Sequence, residues 1–132
     1  MFFTFKNLTK NKISKALLEK VLEKSISTLK PKDKEINLIV VGDKEIKELN
    51  KNFRNKNEVT DVLSFDYGDI FICFPQIKRQ AKEFGHSVEK ELATMIVHGI
   101  LHVSGYDHEK SKKQSEQMFS LQDKIVNSLK IK

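Results

Sequence analysis

The chain has 132 residues, 39% of them hydrophobic and 32% charged, and a formal net charge of +6. That length is one ordinary domain with enough apolar residues for its own core, so a metal is not needed merely to make it fold. No apolar stretch approaches the roughly 20 residues of a membrane helix, and Cys73, the only cysteine, excludes an intrachain disulfide framework.

The expected location is therefore the reducing cytoplasm, since Met1-Phe2-Phe3-Thr4-Phe5 is too short for the apolar part of a secretory signal. The positive charge favours polyanions such as RNA. The signal is modest, because 22 of the 24 basic residues are lysines dispersed along the chain. Arg54 and Arg79 stand out because the chain otherwise avoids arginine.

Residues 2–5 read as a first strand. Ile13, Leu17, Val21 and Leu22 recur at helical spacing, which predicts an amphipathic helix near 12–29, followed by Pro31. The β-branched run 36–41, closed by Gly42, predicts a buried strand. Asp43 is positioned to cap the next helix, whose expected apolar face is Ile46, Leu49 and Phe53. A polar loop covers 55–60. Residues 62–67 and 70–74 then read as two strands joined by a tight turn at Gly68-Asp69.

Pro75 can open a helix carrying Ile77, Ala81 and Phe84, ended by Gly85. Ser87 can cap a longer helix over 88–103 with Leu92, Met95 and Ile96 toward the core, and Gly105 stops it. Ser111 and Gln114 make a capping-box pattern for a last helix whose face is Met118, Leu121, Ile125 and Leu129. The expected fold class is α+β: one small mixed sheet of about four strands packed with four or five helices, in a single domain over 1–132.

The segment richest in chemistry is His98-Gly-Ile-Leu-His102-Val-Ser-Gly105-Tyr-Asp-His108. Residues four apart on a helix lie one turn apart on the same face, so His98 and His102 can aim at one point. Gly105 can adopt the left-handed conformation that turns the chain back and brings His108 toward the same point. Three imidazoles suit zinc, nickel or copper better than magnesium or calcium, and leave a fourth position open, as in catalytic zinc sites. The fourth histidine, His86, follows Gly85 in a turn and reads as an ordinary surface residue. The helical pair resembles the zincin pattern His-Glu-x-x-His, but the general-base glutamate is replaced by Gly99, which disfavours a peptidase. Gly99 also lets another backbone or a substrate approach the helix.

The segment from His98 to His108 resembles the signature of the YbeY family, bacterial metal-dependent endoribonucleases. Leu49-Asn50, Phe53-Arg54 and Thr60-Asp61-Val62-Leu63-Ser64-Phe65 resemble a second family signature, and Gly68-Asp69-Ile70 and Met118-Phe119 also match. The likeness runs from about Ile36 onward and is weak over the first thirty residues. Tyr67 departs from the aliphatic residue more common there, with no functional consequence expected.

The resemblance implies a cytoplasmic nuclease specific for single-stranded RNA, acting in ribosomal RNA processing, notably 3′-end maturation of the small-subunit RNA, and in ribosome quality control. It implies His98, His102 and His108 as ligands of one Zn2+, with nickel or another divalent transition metal as a substitute, and Arg54 as the catalytic and phosphate-binding residue. Ribosomal proteins or an assembly GTPase are the implied partners. Arg54 suits phosphate by its planar donor fork; the plainer alternative is a surface ion pair with Glu58. Asp61 and Ser64 either support a ligand histidine or shape the cleft, or Asp61 and Thr60 simply satisfy loop backbone groups. Asp107 and Glu109 flank His108 and are candidate bases; the plainer alternative is that either is simply solvated or caps the last helix. A metallohydrolase of another substrate class and a noncatalytic ribosome-assembly factor with a metal-stabilised fold are the competing functions.

Overall fold

A computed structural model describes residues 3–31 and 34–132. In chain order the elements are β1 (Phe3–Asn7), α1 (Lys15–Leu29), β2 (Ile36–Val41), α2 (Asp43–Arg54), β3 (Val62–Ser64), β4 (Asp69–Cys73), α3 (Phe74–Phe84), α4 (Val88–Val103) and α5 (Lys112–Ser128). The strands form one sheet in the order β1-β2-β4-β3. β1 and β4 run parallel to β2, and β3 is antiparallel to β4. This is the expected mixed α+β architecture, with five helices.

The strands are apolar on both faces because helices cover both. Ile36, Leu38, Val40, Ile70 and Ile72 point into the main core with residues of α1, α4 and α5. The alternate residues Ile39, Val41, Phe71 and Cys73 join a second cluster with Ile46 and Leu49 of α2. A period of two thus divides one apolar run between two cores. α4 is nearly all buried along one side, through Leu92, Ala93, Ile96, Val97, Ile100 and Leu101. Its position against β3 and β4 depends on Gly99. A methyl there would come 2.8 Å from Cγ2 of Ile70 and 3.1 Å from Oγ of Ser64. The close approach that Gly99 permits is therefore by two sheet side chains, not by a backbone or a substrate.

Several boundaries differ from expectation for local reasons. Ser14 caps α1 through its hydroxyl and leaves Ile13 outside the helix. Gly42, not Asp43, is the cap of α2. Asp43 is instead held in a bidentate pair by Arg79 at 2.7 and 3.2 Å. α2 also turns Phe53 outward and buries Asn50, whose Nδ2 donates to the Glu58 carbonyl at 2.9 Å and pins the following loop. β3 stops at Ser64, and the turn that follows spans 65–68 with Gly68 at φ 121°. Gly68 abuts the Glu35 carbonyl, so both its φ and the lack of space exclude a side chain. Asp69, expected in the turn, is the first residue of β4. β1 begins within the described residues at Phe3 and extends to Asn7; the expected Phe2 lies outside them. Phe84, expected on the core side of α3, is exposed.

Candidate metal centre and cleft

α4 carries His98 and His102 in its last two turns, on the side facing away from the main core. Ser104 closes the helix, Gly105 follows at φ 101°, and the loop returns His108 to the pair. The ring centroids lie 4.7 Å apart for His98 and His102, 5.3 Å for His98 and His108, and 5.2 Å for His102 and His108. One nitrogen from each ring falls within 4.8 Å of the other two, close enough for all three to hold a metal ion.

The donor set fits a cation in its protonation as well as its spacing. Nδ1 of His98 is 2.7 Å from Oε1 of the buried Gln122 on α5. An amide oxygen only accepts, so Nδ1 carries the proton and Nε2 keeps its lone pair. That Nε2 faces Nε2 of His102 at 3.2 Å. Two lone pairs repel at this distance, so the arrangement suits a shared proton or a cation. Nδ1 of His108 is buried with no hydrogen-bond partner among the described residues, an orphan that a ligated ion would satisfy. Burial is the main cause that lowers the pKa of both His98 and His102. His108 disfavours protonation of both rings, and His98 does so for His102. Neutral imidazoles are the form a metal requires.

The histidines line a cleft of about 730 Å³ together with Arg54, Asp61, Ser64, Phe65, Asp107 and Lys110. Arg54 is the last residue of α2, where Asn55 in the left-handed conformation turns the chain away. It is exposed, and among the described residues its guanidinium makes no ion pair or hydrogen bond, with Glu58 or any other group. Lys34, also at the cleft, is engaged: its Nζ donates to the Val103 carbonyl at 2.7 Å and caps the end of α4.

The plainer reading of Asp61 describes its contacts. Its Oδ1 accepts from its neighbour Val62 N–H at 2.7 Å and from Thr60 Oγ1 at 3.4 Å. Asp107 likewise accepts the Glu109 N–H at 2.8 Å within the loop. Ser64 Oγ is buried without a partner among the described residues.

Two residues depart from their expected roles or escaped the sequence reading. His86 is half-buried, not an ordinary surface residue: its Nε2 lies 2.6 Å from Oε1 of the buried Glu91, whose Oε2 accepts from Gln80 at 2.8 Å. Gln122 was not anticipated as a partner of His98. It lies 24 residues away, and a glutamine on a polar-rich helix carries no signal of its own.

Residues 4–130 match the family described as Endoribonuclease YbeY. The protein of that name from Thermotoga petrophila is 43% identical over 121 residues, covering 87% of this chain and 77% of its own length. Its namesake from Persephonella marina is 37% identical, covering 95% of this chain and 90% of its own. The solution structure of TM1509 from Thermotoga maritima superposes with a TM-score of 0.70 at 38% identity, over 98% of this chain and 89% of that one. Both signatures read from the sequence fall inside the matched region, and the chain belongs to the YbeY family of endoribonucleases.

Proposed function

We propose that this chain cuts single-stranded RNA at the three-histidine cleft, with Zn2+ held by His98, His102 and His108, and that it serves ribosomal RNA processing, including small-subunit 3′-end maturation and ribosome quality control. That the chain is a nuclease, a hydrolase acting on RNA, follows from its family. The observation that carries the rest is the convergence of three imidazole nitrogens in a cleft shared with Arg54.

His98, His102 and His108 would hold the ion, which when bound would supply Lewis acidity and a source of activated water at neutral pH. The chain's own residues do the remaining work. Gln122 holds His98 in the tautomer that presents Nε2. Arg54 offers two parallel N–H donors to the nonbridging phosphate oxygens and to the charge that builds on them. Gly99 stands where a zinc peptidase carries its basic glutamate, which argues against peptide substrates. A nitrogen-only set favours zinc or nickel over magnesium.

The same reading treats 1–132 as one functional domain acting in the cytoplasm, with ribosomal or assembly proteins as partners. Among the described residues no helix is long and apolar enough to cross a membrane.

The test is to purify wild type and His102→Ala in parallel and to measure metal content and cleavage of RNA and peptide pools. Wild type is expected to hold about one zinc per chain and to cut single-stranded RNA only; the variant loses both properties. Wild type free of metal, with no cleavage restored by added zinc or nickel, would overturn the assignment.

A further inference from the structure

We propose that Phe53, Phe65 and Tyr67 form a stacking platform for one nucleobase of a single-stranded RNA whose backbone crosses the adjoining cleft; the inference rests on the function proposed above and adds a subsite to it.

Phe53 and Tyr67 are 63% and 65% exposed, although both are large aromatic residues. They are not scattered. Phe65 stacks on Tyr67 with centroids 5.6 Å apart and an interplanar angle of 23°. Phe53 meets Phe65 edge-on at 5.1 Å, and Phe71 supports Phe65 from the second core at 5.8 Å. Phe65 is therefore fixed on two sides, and the outer ring of the stack, Tyr67, is presented to solvent. The turn that carries it is also fixed. Gly68 N–H donates to the Phe65 carbonyl, Phe65 N–H to the Asp69 carbonyl, and Asn37 N–H to the Gly68 carbonyl, all at 2.9–3.0 Å. Exposed rings held this rigidly do not contribute to the core in proportion to their area, which marks a contact surface.

Position and charge select the occupant. Phe65 lines the metal cleft itself, and Phe53 directly precedes Arg54, whose side chain lines the same cleft. A strand with its phosphate at Arg54 thus has a neighbouring base within reach of the rings. The exposed Asp66, between Phe65 and Tyr67, repels phosphate from this side and can accept a hydrogen bond from the N–H edge of a base. Aromatic stacking tolerates any base and needs it unpaired, so a base held here must belong to a single-stranded segment.

The test is steady-state cleavage of a single-stranded RNA octamer and of a set of octamers, each with one abasic position, by the zinc-loaded protein. Tyr67→Leu and Phe53→Leu should raise KM on the order of tenfold with kcat and zinc content kept, and Tyr67→Phe should behave as wild type. An abasic residue at one position should raise KM by a similar factor, and Tyr67→Leu should then add nothing. An unchanged KM in Tyr67→Leu overturns the platform while leaving the nuclease intact, and that is the outcome if the rings dock a protein instead. Equal sensitivity of intact and abasic octamers to Tyr67→Leu overturns it as well. Failure of zinc-loaded wild type to cut any octamer overturns the nuclease reading and this subsite with it.

Discussion

α4 has a histidine site at each end, and the two differ in what the fold leaves unsatisfied. Before its first turn, His86 is bonded to the buried Glu91, which also accepts from Gln80. Each acceptor oxygen there has a donor inside the protein. At the other end, His98, His102 and His108 face one another, with no buried carboxyl beside them among the described residues. Among the described residues Nδ1 of His98 is bonded to Gln122, Nδ1 of His108 has no hydrogen-bond partner, and the nearest acid to His108 is the exposed Glu109 at 3.9 Å. The two arginines repeat the contrast: Arg79 is bound bidentately to Asp43, and Arg54 makes no ion pair among the described residues. Internal saturation makes a structural contact, and convergent groups lacking internal partners make a site.

Breaking the open side of that contrast gives the largest effect. Arg54→Ala should lower RNA cleavage by about a hundredfold or more, as removal of one transition-state donor does elsewhere, with zinc content unchanged. Arg79→Ala should leave cleavage alone and cost less than about 1 kcal/mol in denaturant unfolding, because its pair is largely exposed. Equal loss of cleavage in both variants would erase the distinction.

Removing the Gln122–His98 hydrogen bond should act through the metal. Gln122→Met keeps the volume and deletes the acceptor, so zinc affinity in competition with a chelator should fall between tenfold and a hundredfold. Unchanged affinity would mean that packing alone orients His98. At the saturated site the effect is confined to stability. His86→Ala leaves Glu91 short of a partner and should cost about 1–3 kcal/mol in stability, with zinc content and kcat as in wild type. A loss of zinc there would show that the two ends of α4 are coupled.

How much of this was legible in the sequence varies with the range of the interactions involved. The span of α4 and the caps Ser87 and Ser111 were readable because capping and periodicity act over a few residues. The histidine cluster was readable for the same reason, all three lying within eleven positions. Arg54 was different. No local rule separates it from a surface ion pair, and its assignment came from the resemblance; its place in the cleft is a tertiary fact. The apolar face of α2 holds at Ile46 and Leu49 and fails at Phe53, which turns out toward Phe65, while Asn50 is buried for a loop contact. His86 was misread because its partner Glu91 looks like an ordinary first-turn acid in sequence.

By itself the sequence determined the α+β class, the positions of the helices and strands to within a few residues, and the cluster of nitrogen ligands at helical spacing. These depend on backbone periodicity and on neighbours along the chain. Only the tertiary structure decided which side groups remain without internal partners, how Gly99 lets α4 settle against Ser64 and Ile70, and that Gln122 holds His98. It alone brought the three rings at 53, 65 and 67 together beside the cleft. Those outcomes follow from packing between segments far apart in the chain, where burial, not local preference, selects each contact.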